Sequence, residues 1–421
     1  MSVIAEHGAA LIALAVIFGL FMTWGIGAND VANALGTSVG SGAITVRTAI
    51  IIAAIFEFLG AVLAGGHVTK TIRKGIIDPG PIADNPEILV FGMLAALLAA
   101  GTWLALASIR GWPVSTTHSI VGALVGFAIA GIGFDAVNWG KIGLIATSWV
   151  ISPFLGGLAA FALMMSIRRL ILNTEKPFES AVRWAPVYAF LVGFIMALVT
   201  LFKGLKHLNL NLSIPMSFLA AAAIGLAVAV AARTFIKRVR MDETADRHFQ
   251  FASVEQVFVP LMILTACAMA FAHGSNDVAN GIGPLAAVLA LVRSGGDLAQ
   301  TSPVPIWVLL LGGTGILVGL ATYGYRVMQT IGTKITQLTP TSGFCATMAA
   351  AATVVLASRI AIPVSTTHIA VGAVMGVGLA HGFAALDLRV VGKIFVSWVV
   401  TLPAGGALAA LFFFFLKGVF T

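Results

Sequence analysis

Ten apolar runs recur along the chain, most of them about as long as a bilayer is thick. They cover residues 9–24, 46–64, 88–109, 142–167, 186–202, 214–232, 257–272, 306–325, 344–358 and 391–416. A helix needs roughly 20 apolar residues to cross the hydrocarbon core. Lipid offers no water to an unpaired N–H or C=O, so such runs fold as helices that bond their own backbone. Only 10% of the residues are charged, against about 25% in a soluble domain, which is too few to cover a water-facing surface. The expected class is an all-α polytopic membrane protein with the lipid bilayer as its solvent.

Four shorter apolar runs, 31–40, 114–131, 278–291 and 364–380, lie between the spans. Each starts at a Pro or a Gly–polar cluster, so they read as half-helices or re-entrant helical hairpins. About ten to twelve membrane segments are expected. The 46 glycines suit close helix packing and helix breaks. A net charge of +8 does not point to nucleic acid, because the Lys and Arg collect in short loops. Two such loops stand out: 168–183, with Arg168, Arg169, Lys176 and Arg183, and 233–248, with Arg233, Lys237, Arg238, Arg240 and Arg247. Two spans separate them, so they share a side, and excess positive charge makes that side cytoplasmic. Cys267 and Cys345 both lie in apolar stretches, which argues against a disulfide framework or a cysteine metal cluster. No basic region precedes the first apolar run, so it is expected to stay as a membrane helix rather than be cleaved as a signal peptide.

The chain repeats itself. GANDVANALG at 27–36 returns as GSNDVANGIG at 274–283, and PVSTTHSIVGALVG at 113–126 returns as PVSTTHIAVGAVMG at 363–376. A weaker match pairs 68–76 with 327–335. All three keep the same order, so the expected organisation is a first repeat over 1–167, a linker with two extra spans over 168–255, and a second repeat over 256–421. Secondary transporters built this way place their sites where discontinuous helices of the two repeats meet.

Each repeat carries two motifs with chemistry. In the first, Asn29, Asp30 and Asn33 recur as Asn276, Asp277 and Asn280. An Asp at membrane depth costs a few kcal/mol, and i,i+3 and i,i+4 spacing points these groups the same way. Carboxylate and amide oxygens are hard ligands that suit a cation such as sodium. Gly27 and Gly274 would let the backbone unwind and offer carbonyls. In the second motif, Ser115, Thr116 and Thr117 recur as Ser365, Thr366 and Thr367, each set after a Pro. Ser is a good N-cap, and the first turn beyond it presents unpaired N–H groups and the positive end of the helix dipole. Two such starts facing each other would surround a tetrahedral oxyanion. The two motifs are expected to serve separate ions. Local capping and helix-to-helix hydrogen bonding are the plainer readings, and duplication favours the sites. His118 and His368 could cap a carbonyl, donate to the anion or titrate. Glu57 aligns with Ile316 and so lacks a symmetric partner; it is either an ion site or a local pair.

These motifs resemble those of the inorganic phosphate transporter (Pit) family of secondary carriers, over nearly the whole chain. The resemblance implies inverted-topology repeats, inorganic phosphate as substrate, an ion-motive driving force, a homodimer and a multi-pass place in the cell membrane. The Gly–Ala–Asn–Asp form at 27–30 resembles that of sodium-coupled members, which implies sodium as coupling ion and no other cofactor. A proton-coupled phosphate or sulfate permease of the same family is the alternative. Eukaryotic relatives carry a long insertion between the halves, so the short loops here resemble a compact prokaryotic member. An intramembrane enzyme using Ser115 and His118 would need one such pair rather than two. A bare anion channel would not line itself with Asp30 and Asp277. The phosphate loop an ATP-driven pump needs, G-x-x-x-x-G-K-[ST], does not occur in the chain.

Overall fold

Among the described residues, helices form every regular element, apart from one antiparallel bridge between Ile77 and Val137. The structure is a computed structural model that describes residues 3–65, 76–77, 85–201, 213–236, 247–297, 304–359 and 364–421. Most of the weaker repeat at 68–76, much of the basic loop at 233–248, and Pro363 lie outside them. The helices are α1 (Val3–Asn29), α2 (Val31–Gly40), α3 (Val46–Ala64), α4 (Pro86–Arg110), α5 (Thr116–Gly131) and α6 (Trp139–Ile167) in the first half. A connector pair follows, α7 (Pro177–Val199) and α8 (Ile214–Ile236). The second half has α9 (Arg247–Arg293), α10 (Ile306–Gly319), α11 (Tyr325–Gln329), α12 (Pro340–Arg359), α13 (Thr366–His381) and α14 (Leu388–Phe420). Among the described residues, nine stretches are long and apolar enough to cross a membrane, and α5 and α13 are shorter apolar helices, in line with the expected ten to twelve segments.

The two halves are interlocked. In sequence order α3 corresponds to α10, α5 to α13 and α6 to α14. Yet α1 packs on α10 and α9 on α3, while α5 packs on α14 and α13 on α6, so each helix meets its neighbour's counterpart. Glycines make the closest crossings. A Cβ on Gly126 of α5 would come within 2.2 Å of the Gly406 carbonyl of α14, and one on Gly376 of α13 within 2.0 Å of the Gly157 carbonyl of α6. Close approach of this kind is how helices associate in lipid, where burial of apolar surface gives no drive.

Gly27 and Gly274 do the same rather than unwind the backbone. Asp277 sits inside the continuous α9, and in the first half the helix is interrupted only at Asp30. A Cβ on Gly27 would come within 1.8 Å of the Ile316 carbonyl, and one on Gly274 within 2.2 Å of the Glu57 carbonyl. The expectation of exposed carbonyls is corrected: the missing side chain lets α1 reach α10 and α9 reach α3. The same contacts confirm that Glu57 and Ile316 occupy equivalent places.

α7 and α8 pack against each other as a hairpin, so the Pro177 end of α7 and the Ile236 end of α8 lie on one side. With cysteines introduced as Thr174→Cys and Thr244→Cys, an impermeant thiol reagent is expected to label both only when the cytoplasmic face is opened. Labelling of either in sealed cells would overturn that orientation.

Candidate functional site

Where α4 ends, the chain leaves helical geometry for residues 112–115. Irregular backbone at membrane depth survives only where protein pairs it, and here it is paired. The Trp112 carbonyl accepts from the Asn29 amide at 2.9 Å, the Pro113 carbonyl from the Trp398 indole at 3.1 Å, and the Val114 carbonyl lies 3.2 Å from the Thr367 hydroxyl. The Val114 N–H donates to Asn29 Oδ1 at 3.1 Å. Trp398 and Thr367 belong to the second half, so that half holds open the break in the first.

Ser115 and Ser365 then cap α5 and α13. Each has extended backbone, and each hydroxyl accepts from the His three residues on, His118 N or His368 N, at 3.2 Å. Such a cap satisfies one first-turn N–H and leaves the others facing forward. Carboxylates stand at both starts. Asp30 accepts from the hydroxyl of Thr116. Asp277 accepts from the Thr366 hydroxyl at 2.8 Å. A second set of bonds crosses between halves: Asn33 Nδ2 donates to the Thr367 hydroxyl at 2.9 Å, that hydroxyl lies 3.3 Å from Asp30 Oδ1, and Asn280 Nδ2 donates to the Thr117 hydroxyl at 3.4 Å. Ligand atoms of Asp30, Asp277 and His273 all lie within 4.8 Å of one another.

Thr116, Thr117, Thr366, Thr367, Asp30, Asn33, Asp277 and Asn280 therefore meet in one place. The two motifs, which stand about 90 positions apart in each half, are thus in direct contact, the threonine hydroxyls bonding the carboxylates and amides of the other motif. Asn29 is turned away. Its amide spans Ser108 Oγ at 3.2 Å and Trp112, and its oxygen takes the Val114 N–H. Asn276 donates to Asp277 Oδ1 at 2.8 Å. No Lys or Arg is among these contacts.

Residues 26–409 match the family model described as the phosphate transporter family. The chain belongs to the phosphate transporter family. A candidate phosphate permease of Haemophilus influenzae is similar over 420 residues at 49% identity, covering 100% of both chains. An inorganic phosphate transporter of Arabidopsis thaliana, named as chloroplastic, is 43% identical over 422 residues, covering 94% of this chain and 70% of the relative. A solved structure, a sodium-dependent phosphate transporter, matches with a TM-score of 0.87 at 40% identity, over 97% of this chain and 99% of its own. The family and the solved relative are transporters and not enzymes, and Ser115 in this transporter is a helix cap rather than a nucleophile.

One functional group of the transporter escapes reading of the motifs. His273 is fully buried, with Nδ1 at 3.1 Å from Glu57 Oε1 and Nε2 at 2.8 Å from Asp277 Oδ2. Glu57 has its partner here. The repeat offers a signal that finds it: the position equivalent to Glu57 is Ile316, and the NDVAN match puts Ile26 opposite His273. Glu57 and His273 face each other across the two halves, while Ile26 and Ile316 stand at the equivalent positions of the repeat. Removing one member of a buried ion pair costs about 3–5 kcal/mol, whereas replacing both by apolar groups is often neutral. Glu57→Ile and His273→Ile are each expected to lower the melting temperature, and the double replacement to lose less than the sum of the two, the loss of the His273–Asp277 contact remaining in it. Additive losses in thermal melts of the purified transporter would show the pair to be uncoupled.

Proposed function

We propose that this transporter imports inorganic phosphate across the cell membrane as a sodium symporter working by alternating access. The reading is carried by the convergence of two carboxylates on two helix starts. Asp30 and Asp277, with Asn33 and Asn280, hold sodium; Asn29 and Asn276 set the places of Val114 and Asp277 beside them. The starts of α5 and α13, through Ser115, Thr116, Thr117, Ser365, Thr366 and Thr367, hold phosphate. Sodium suits the donor set, because carboxylate and amide oxygens are hard ligands and Asn33 Oδ1 is buried with no partner among the described residues. Both nitrogens of His273 are spent on carboxylates, which argues against a transition metal there.

Charge supplies the coupling. Two buried carboxylates beside the helix starts repel an incoming oxyanion, and one of them already occupies the α5 start. A cation between Asp30 and Asp277 removes that repulsion and leaves the first-turn N–H groups to the phosphate. Phosphate binding is then favourable only after sodium has bound. The repeats 1–167 and 256–421 would move about the linker 168–255, and the working unit is read as a homodimer on family likeness.

Uptake of radiolabelled phosphate into proteoliposomes tests this. An inward sodium gradient is expected to drive accumulation, a proton gradient without sodium is not, and excess sulfate is expected to compete weakly. Equal accumulation on a proton gradient alone would sink the sodium reading.

A further inference from the structure

Two residues beyond the first threonine of each copy, His118 and His368 face one another with ring centroids 4.3 Å apart. Each also lies against an indole, His118 against Trp149 at 3.8 Å and His368 on Trp398 at 3.6 Å. Both imidazoles are at most 2% exposed. His368 Nδ1 lies 3.2 Å from the Trp149 carbonyl. The remaining nitrogens, both of His118, Nε2 of His368 and Nε1 of Trp149, have no partner among the described residues. A buried polar group left so costs about 1–3 kcal/mol, and native proteins seldom leave several together.

These rings line a cavity of about 720 Å³ between α5, α13, α6 and α14. That is the size of a small-molecule site, roughly 300–1,000 Å³. The rest of its wall is hydrocarbon and aromatic, including Phe154, Leu158, Met375 and Phe395. Its outer residues are open: Val150 is 75% exposed and Val399 is 72% exposed. Both stand on long apolar spans, so the cavity opens to lipid rather than to water. The lining residues of α6 fall near the middle of that helix, at membrane depth.

We propose that this cavity binds a lipid-soluble amphiphile, a hydrocarbon body ending in one hydroxyl, with the hydroxyl set between His118 and His368. A hydroxyl both donates and accepts, so it pairs with either tautomer of each imidazole. The apolar wall takes the hydrocarbon. A charged lipid headgroup is excluded, because a charge at this depth is costly and no Lys or Arg among the described residues lines the cavity to meet it. Water would satisfy the nitrogens and leave the hydrocarbon wall unfilled. The occupant touches α5 and α13, the same helices whose starts carry the phosphate-site threonines.

The test is photolabelling of the purified full chain in lipid nanodiscs with a diazirine derivative of 1-octanol, adducts being mapped by mass spectrometry. Adducts are expected on Phe154, Leu158, Met375 and Phe395, and excess 1-octanol should compete them away. Leu158→Trp, which fills the cavity from its wall, should lower labelling at least tenfold. His118→Phe with His368→Phe keeps the rings, removes the nitrogens and should lower it several-fold. Where a variant fails to fold, saturable competition in the unaltered protein decides. Labelling spread evenly over lipid-facing helices without competition overturns the proposal. So does labelling unchanged in Leu158→Trp, or an unlabelled cavity covered by a second copy of the chain.

Discussion

Asp277→Asn is expected to lower sodium affinity by at least a hundredfold and to abolish sodium-driven phosphate uptake. The Asp277 carboxylate receives His273, Thr366 and Asn276, each at 2.8 Å. An amide has one accepting atom, and its NH2 would meet other donors. His273 would also lose one of its two carboxylates while staying buried. Breaking a buried charge pair costs about 3–5 kcal/mol, and about 1.4 kcal/mol is a decade in affinity. Asp30→Asn is expected to weaken sodium binding less, because Asp30 is held by threonine groups and by no ion-paired histidine. Isotope binding of sodium, with phosphate uptake measured alongside, checks both. Wild-type sodium dependence in the two variants would make the carboxylates structural and remove the cation site from this cluster.

Thr116→Val and Thr366→Val are each expected to reduce phosphate affinity by roughly ten- to a hundredfold. A hydrogen bond to a charged partner is worth about 1.5–3 kcal/mol, and Val keeps the shape while removing the hydroxyl. Sodium affinity should fall too, because these hydroxyls donate to Asp30 and Asp277. A double-mutant cycle isolates that link: Thr366→Val combined with Asp277→Asn should cost less than the sum of the two. The losses in the two halves should be similar, since the caps and the cross-pairs have the same form in each. If Thr116→Val bound phosphate normally while Thr366→Val did not, a one-sided site would replace the shared one. If both variants kept wild-type sodium binding, the hydroxyls would have no part in holding the carboxylates for sodium.

Much of the candidate site is legible because the strings are duplicated. Asp30 and Asp277, and the Ser–Thr–Thr starts at Ser115 and Ser365, are found by repetition and by cap chemistry, both local signals. Asn29 stands apart from the rest of its motif for a physical reason. Its spacing aligns it with Asn33 on a helix, but a broken segment at residues 112–115 needs its amide more than a cation does. Gly27 and Gly274 need the tertiary structure in the same way, since Gly permits both unwinding and close approach, and only the neighbouring helix distinguishes them. His273 carries no motif of its own, and its partner Glu57 is 216 positions away by subtraction of their numbers.

The sequence by itself determined the membrane class, the helical backbone, the duplication and the residue types at the site. Insertion into lipid depends on the local density of apolar groups, and a repeated string is visible without any contact. Tertiary structure alone decided which residues meet. Asn33 bonds Thr367 across 334 positions, and Thr117 bonds Asn280 across 163. Once helices are in lipid, hydrophobicity no longer drives one against another; small-residue crossings and polar pairs choose the partners. Those choices depend on shape between distant segments, which no local pattern records.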